Sequence, residues 1–182
     1  CLRSNNRGAF IMSSLVLLDT FYGSFGNTIK TTGIDDRFTH HRVILKQGAT
    51  GNNNGLNCFV TKSGTIQTDT NYRYAGLNQY NGSVRMRNNQ SDDEWRIWNN
   101  TEESNNRSRG MAIFIADLYG FASSSCYSYL IVRGQFQSND LFSYNLPIWA
   151  GVHTVVSASD GFAIRRNSGN EMRGELSLYG VK

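Results

Sequence analysis

The chain has 182 residues, with 18 lysines and arginines against 14 aspartates and glutamates and a charged fraction of only 18 %. That length suits one domain with a substantial core, and an aromatic content of 12 % argues against disorder. No stretch reaches the roughly 18 apolar residues that a spanning helix needs, so membrane insertion is not expected. The net charge of +4 is scattered without a run of Lys or Arg, which removes any strong electrostatic claim on nucleic acid. Asn, Ser, Thr and Gly carry the polar load instead, the composition of an extracellular-type binding or structural module.

At the N-terminus Arg3 and Arg7 precede the apolar run Ala9 to Leu18, which looks like a signal peptide. No small-x-small cleavage site follows, so the run reads as a strand entered from a loose lead. Residues 1–11 are taken as that lead, 12–182 as a single β-sandwich domain, and Met12 as a candidate start.

From there the dominant period is two. Leu15, Leu17 and Phe21 alternate with Val16, Leu18 and Tyr22; Val43 and Leu45 alternate with Arg42, Ile44 and Lys46; Leu56, Cys58 and Val60 alternate with Asn57 and Phe59. This is the pattern of half-buried strands. Val84 to Arg87 and Arg96 to Trp98 continue it, Met111 to Leu118 reads as a central strand, and 129–132, 152–156, 162–164 and 176–179 complete the set. Between these segments lie Gly/Asn/Ser/Asp clusters such as 48–55, 80–83, 91–94, 99–110, 121–126, 138–140 and 157–161. Such residues supply positive φ and side-chain-to-backbone bonds in turns. About ten short strands without helical periodicity predict an all-β fold, an antiparallel β-sandwich of jelly-roll-like type.

Candidate chemistry is sparse. Paired carboxyls for glycoside hydrolysis are limited to Asp35-Asp36, Asp92-Asp93-Glu94 and Glu102-Glu103, all in turn-like segments where solvated acids are expected. Of the histidines, His40 and His41 are adjacent on a strand and point to opposite faces, so they do not converge on one metal, and His153 reads as an ordinary sheet residue. The loop Gly51-Asn52-Asn53-Asn54-Gly55 lacks the carboxylates a hard cation wants and reads as a turn. No metal site, cofactor or catalytic residue is implied. Cys1, Cys58 and Cys126 form no C-x-x-C, and a single Cys58–Cys126 bridge is open to them.

Aromatic residues beside Asn, Ser and Gly are the more informative feature. Tyr72, Tyr74, Tyr80, Trp95, Trp98 and Tyr127, with Tyr144 and Trp149, match the mixture that carbohydrate-binding surfaces use; core packing is the competing use of the same rings. The first six are the candidate ligand-binding residues. Asn81, Asn89, Asn99 and Asn106 head N-x-[ST] triplets, which an Asn-rich chain produces by chance.

Several segments, in order, resemble small β-rich structural proteins of tailed bacteriophages. Phe38-Thr39-His40-His41-Arg42-Val43-Ile44-Leu45 is similar to that group's Y-T-H-L-R-L strand, and Asn57 to Val60 leading to Asn71-Tyr72 occupies the place of its R-F-N-G-D-T-G-x-N-Y segment. Ile113 to Tyr119 followed by Tyr129-Leu130-Ile131 resembles its I-x-I-x-x-Y and next strand, and Gly161-Phe162 through Leu176 to Val181 its terminal G-x-F…F-x-L-Y-G-I. The Asn-Gly-Asp of the second motif is missing at Val60 to Gly64, so no ligand role is carried over there. The resemblance implies a trimeric sandwich displayed on a phage particle. The expected function is a non-enzymatic virion surface protein, a receptor-binding or fibre-tip module that contacts a host surface glycan. The alternative is a capsid decoration protein bound to the major capsid protein, and a third reading is a capsule-degrading hydrolase. Partners expected are copies of itself and other virion proteins, because short edge strands and an aromatic excess favour burying one face against copies of the chain.

Overall fold

The computed structural model describes residues 15–48, 56–80, 83–97, 111–137, 144–166 and 172–182. The lead at 1–11, the Asn-rich loop at 51–55, Trp98, Glu102 and Glu103 lie outside the described residues. The described chain is all-β, an antiparallel sandwich of two sheets. Its strands are β1 (Leu15–Phe25), β2 (Thr28–Thr32), β3 (His40–Gly48), β4 (Leu56–Lys62), β5 (Thr65–Ile66), β6 (Tyr72–Tyr80) and β7 (Ser83–Asp92). They continue with β8 (Trp95–Arg96), β9 (Met111–Tyr119), β10 (Ser128–Gln137), β11 (Tyr144–His153), β12 (Gly161–Arg166) and β13 (Met172–Val181). Eight strands form one sheet in the order β1-β13-β3-β9-β10-β11-β6-β7, and the other runs β2-β12-β4-β5 with β8 added beside β4.

Alternation assigns each side chain to a face. On the large sheet Val43, Ala116 and Leu178 stand opposite one another, as do Leu45, Phe114 and Leu176, and all six are buried. Leu130, Val132 and Trp149 extend this inner face. The small sheet answers with Ile29, Cys58, Val60, Phe162 and Ile164. A ring cluster joins the two layers at one end. Tyr72 of β6 meets Trp95 of β8 edge-on at 4.9 Å and tilts against His153 of β11 at 4.5 Å. Trp95 in turn touches Phe121, which touches Phe162. Gly151 is required here, because a Cβ at that position would fall 2.6 Å from the Trp95 indole.

The Tyr72 hydroxyl is a polar link between the sheets within the ring cluster. It donates to the Gln67 carbonyl at 2.8 Å and accepts from the Val60 amide at 3.2 Å, while Gln67 N–H bonds the Val60 carbonyl. Burial pushes its pKa far up, so the group stays a donor at any ordinary pH. Buried backbone groups that lose a partner cost about 1–3 kcal/mol each. Tyr72→Phe, which keeps the ring and removes the oxygen, is therefore expected to lower stability by about that amount, read as a lower urea midpoint at unchanged m value.

Candidate functional site

Four connections converge at the end of the sandwich where the ring cluster sits. Residues 33–39 link β2 to β3, 120–127 link β9 to β10, 154–160 link β11 to β12, and the Ser63-Gly64 turn follows β4. They are tied by backbone bonds: Ile34 N–H to the Asp160 carbonyl, Ser159 N–H to the Phe121 carbonyl, and Asp160 N–H to the Thr61 carbonyl. The Asp160 carboxylate accepts from Thr61 Oγ1 at 2.9 Å and from Gly64 N–H at 3.0 Å, which fixes the turn. Gly120 holds φ +72° and packs so closely on the Tyr127 carbonyl that no side chain fits there. The 120–127 hairpin is thereby closed, with Phe121 buried beneath it and Ser123, Ser124 and Ser125 on top.

A cleft of about 340 Å³ opens between 36–41 and 120–124. Asp36, Thr39, Ser123 and Ser124 supply its polar groups, and Phe38, His40 and His41 its rings. A second depression of about 380 Å³ adjoins it, sharing Asp36 and Ala122 and reaching Lys62 and Asp160. Beside the cleft, His40 stacks on Tyr119 at 4.9 Å with the planes 21° apart. Tyr119 stands directly opposite Tyr129 on β10. Tyr119 and Tyr129 face outward, as does Tyr127, which is 40 % exposed, so a shelf of rings adjoins a polar cleft.

His41 takes the opposite face from His40. It is buried, stands edge-on to Phe38 at 5.7 Å, and accepts the Asp35 N–H through Nε2 at 3.4 Å. Burial pushes its pKa down; the nearby Asp35 carboxylate opposes this and does not cancel it. Asp35 itself is held by Arg37 through Nε at 2.9 Å, a bond that lowers its own pKa.

The six candidate ligand residues are not brought together. Tyr72 and Trp95 are sealed in the core, at 0 % and 1 % exposure, so neither presents a ring to a ligand; apolar burial of a large ring outweighs its use on a surface here. Tyr74 is half-buried against Trp149 at 5.7 Å and donates its hydroxyl to Asp92 at 3.1 Å. The Tyr80 side chain and Trp98 lie outside the described residues. Among the described candidates, Tyr127 alone presents an exposed ring at the loop end. Sequence reasoning missed Tyr119, Tyr129 and His40 as site residues, although their alternation with buried Leu118, Leu130 and His41 placed them on the outer face.

The acidic segments are occupied. Asp92 accepts from Asn89 Nδ2 at 2.7 Å and from Arg96 at 3.2 Å, and Glu94 pairs with Arg96 at 3.1 Å and Arg165 at 3.2 Å. Arg165 also lies over the Phe59 ring at 4.4 Å. These bonds brace the β7–β8 turn against β12. Ser128, His153 and Asp69 assemble the residue types of a nucleophilic triad, with His153 Nε2 3.0 Å from Asp69. Ser128 Oγ is fully buried and makes no hydrogen bond, so substrate has no path to it. Among the described residues no group of three or more His, Cys, Asp or Glu is placed to hold a metal ion. Cys58 and Cys126 are both free rather than bridged, the first in the core and the second exposed in the 120–127 loop. No helix is long and apolar enough to cross a membrane among the described residues.

No known family model, curated protein or solved structure matches the chain.

Because the folded pKa of His41 lies below the unfolded value of about 6.5, the unfolded chain binds the proton first as pH falls. The stability His41 contributes is complete above that pH and is lost as pH drops through the folded value. Melting temperature is expected to fall between pH 7 and pH 5.5, and His41→Gln, whatever its stability at pH 7, to flatten that slope in thermal melts.

Proposed function

We propose that the protein is a non-enzymatic surface module of a bacteriophage particle, and that its loop end contacts a host surface glycan. The observation that carries the reading is the His40–Tyr119 stack beside Tyr129, at the lip of a cleft lined by Asp36, Thr39, Ser123 and Ser124. A sugar ring has one apolar C–H face and a rim of hydroxyls. Flat rings cover the former at low entropic cost, and short hydroxyl and carboxylate side chains pair with the latter. The rings are supported from below: Tyr119 by its strand partners, His40 by its stacking, and the serines by a hairpin whose backbone is tied to buried Phe121.

The phage setting rests on the resemblance of the strand motifs at 38–45, 113–119 and 161–181. The two parts of the reading fail separately. Electron microscopy of labelled particles locates the chain, with density at the tail supporting receptor contact and a lattice over the head supporting capsid decoration instead. Glycan-array binding and host adsorption test the site. Tyr119→Ala is expected to weaken binding by roughly tenfold or more, as loss of an aromatic anchor does, with an unchanged melting temperature. Wild-type protein that binds no glycan and does not compete for adsorption removes the receptor role.

A further inference from the structure

One transverse row crosses the outer face of the large sheet at the loop end. His40 of β3 stacks on Tyr119 of β9, Tyr119 stands opposite Tyr129 of β10, Tyr129 opposite Val152 of β11, and Val152 opposite Arg73 of β6. Three rings therefore follow one another, and the row ends in a guanidinium. Arg73 is exposed, alternates with the inward Tyr72 and Tyr74, and has no ion pair among the described residues. Arg42 and Arg133, farther along the same face, differ from it, because both turn onto Asp117, at 2.6 and 3.5 Å. Beyond His40, at the other end of the row, the cleft begins. Asp36 lines that cleft, is exposed, and has no ion pair among the described residues, since the neighbouring Arg37 is taken by Asp35. From β3 to β6 the row spans four strand spacings, about 19 Å. An open carboxylate lies at one end of it and an open guanidinium at the other.

We propose, resting on the glycan reading of the loop end, that this glycan is acidic: a sugar carboxylate meets Arg73, and a neutral, hydroxyl-rich unit of the same oligosaccharide enters the cleft at Asp36. A guanidinium presents two parallel N–H donors that match both oxygens of a carboxylate. A uronic acid carries its carboxylate directly on the sugar ring. When the C–H face of that ring packs on a tyrosine, the carboxylate is held at a fixed offset from it, and Arg73 is rooted only two strands, about 10 Å, from Tyr129 in the same row. A phosphodiester sits between sugars on rotatable links and has no such fixed offset. An ionised Asp36 only accepts hydrogen bonds, so it pairs with hydroxyls and repels a carboxylate. The two ends of the row therefore select opposite ends of the ligand and set its direction. Nucleic acid also stacks on tyrosines, but it asks for cations repeated along its phosphates. Here Arg42 and Arg133 are engaged by Asp117, which leaves Arg73 as the open cation beside the rings.

The test is an array of uronate-containing oligosaccharides, each printed beside its carboxyl-reduced counterpart, which carries a hydroxymethyl group in place of the carboxylate. Wild-type protein is expected to favour the acidic member of the pairs it binds by about tenfold, the size of one charge-assisted bond. Arg73→Gln is expected to bring that ratio close to one. Arg73→Lys, which keeps the charge and loses the fork, is expected to leave it in between. Both substitutions fall at an exposed position, and thermal melts confirm that the variants compared are folded. Asp36→Asn is expected to weaken both members of a pair alike. Equal binding of acidic and neutral members overturns the proposal and leaves the glycan reading standing, as does a preference that survives Arg73→Gln. An Asp36→Asn variant that gains affinity for acidic members alone puts the carboxylate in the cleft and overturns it too. Binding of a single-stranded oligonucleotide in preference to every glycan overturns it in favour of nucleic acid. An array on which wild-type protein binds nothing removes this proposal together with the glycan reading.

Discussion

Everything at the loop end depends on one packing event, the closure of Trp95 against Tyr72, His153 and Phe121. Trp95 lies on β8, the two-residue strand beside β4, while Tyr72 and His153 come from β6 and β11 of the large sheet. The contact therefore ties the two layers where their strands end. It needs Gly151 to let the indole lie on the strand, and it needs Tyr72 to satisfy Val60 and Gln67 across the gap. Phe121, the third partner, roots the 120–127 hairpin, and its carbonyl receives Ser159 N–H from the neighbouring connection. Rings buried for hydrophobic reasons thus fix loops whose upper surfaces are polar.

The same sheet logic separates the molecule's two outward surfaces. Strand alternation sends Leu118 and Leu130 into the sandwich and Tyr119 and Tyr129 out of it. Farther along those strands the outward positions become Ile113 and Ile131, and on β11 Ile148. One physical pattern, a period of two with apolar residues at both phases, yields a core on one side and, on the other, exposed Ile113, Ile131 and Ile148 set among Arg73, Asp117 and Arg133. Polar character is retained at the loop end, where hydroxyls and carboxylates surround the rings, and toward β3 and β13, where Arg42–Asp117 and Lys46–Glu175 close on each other.

Much of the fold was legible because aliphatic alternation is a strong signal. The strands around Val43, Val60, Phe114, Val132, Ile164 and Leu178 all occur where the period of two placed them. Others were hidden for particular reasons. β6 presents Tyr72, Tyr74, Gly76 and Asn78 inward, so no aliphatic alternation marks it, although it forms a strand between β11 and β7. β11 contains Pro147 and carries a strand signal only at its end; the pattern starts a strand at Val152, whereas the strand finishes at His153. β2 carries one large apolar residue, Ile29, between threonines and a lysine. Of the site, Tyr127 was legible, and the opposite facing of His40 and His41 followed from adjacency alone. The choice between core and surface for Tyr72 and Trp95 was not legible, because composition near a ring says what a turn contains and nothing about which side of the sheet the ring takes.

The central claim is that the Trp95 contact holds the loop end together, and hydrogen–deuterium exchange of wild type against Trp95→Phe addresses it directly. The smaller ring leaves the hydrophobic character and removes the reach to Phe121 and His153. Faster exchange is predicted together in 120–127 and 154–160, with the β1–β13 pair, far along the sheet, unchanged. Acceleration confined to β8, or spread evenly over every strand, would contradict the account.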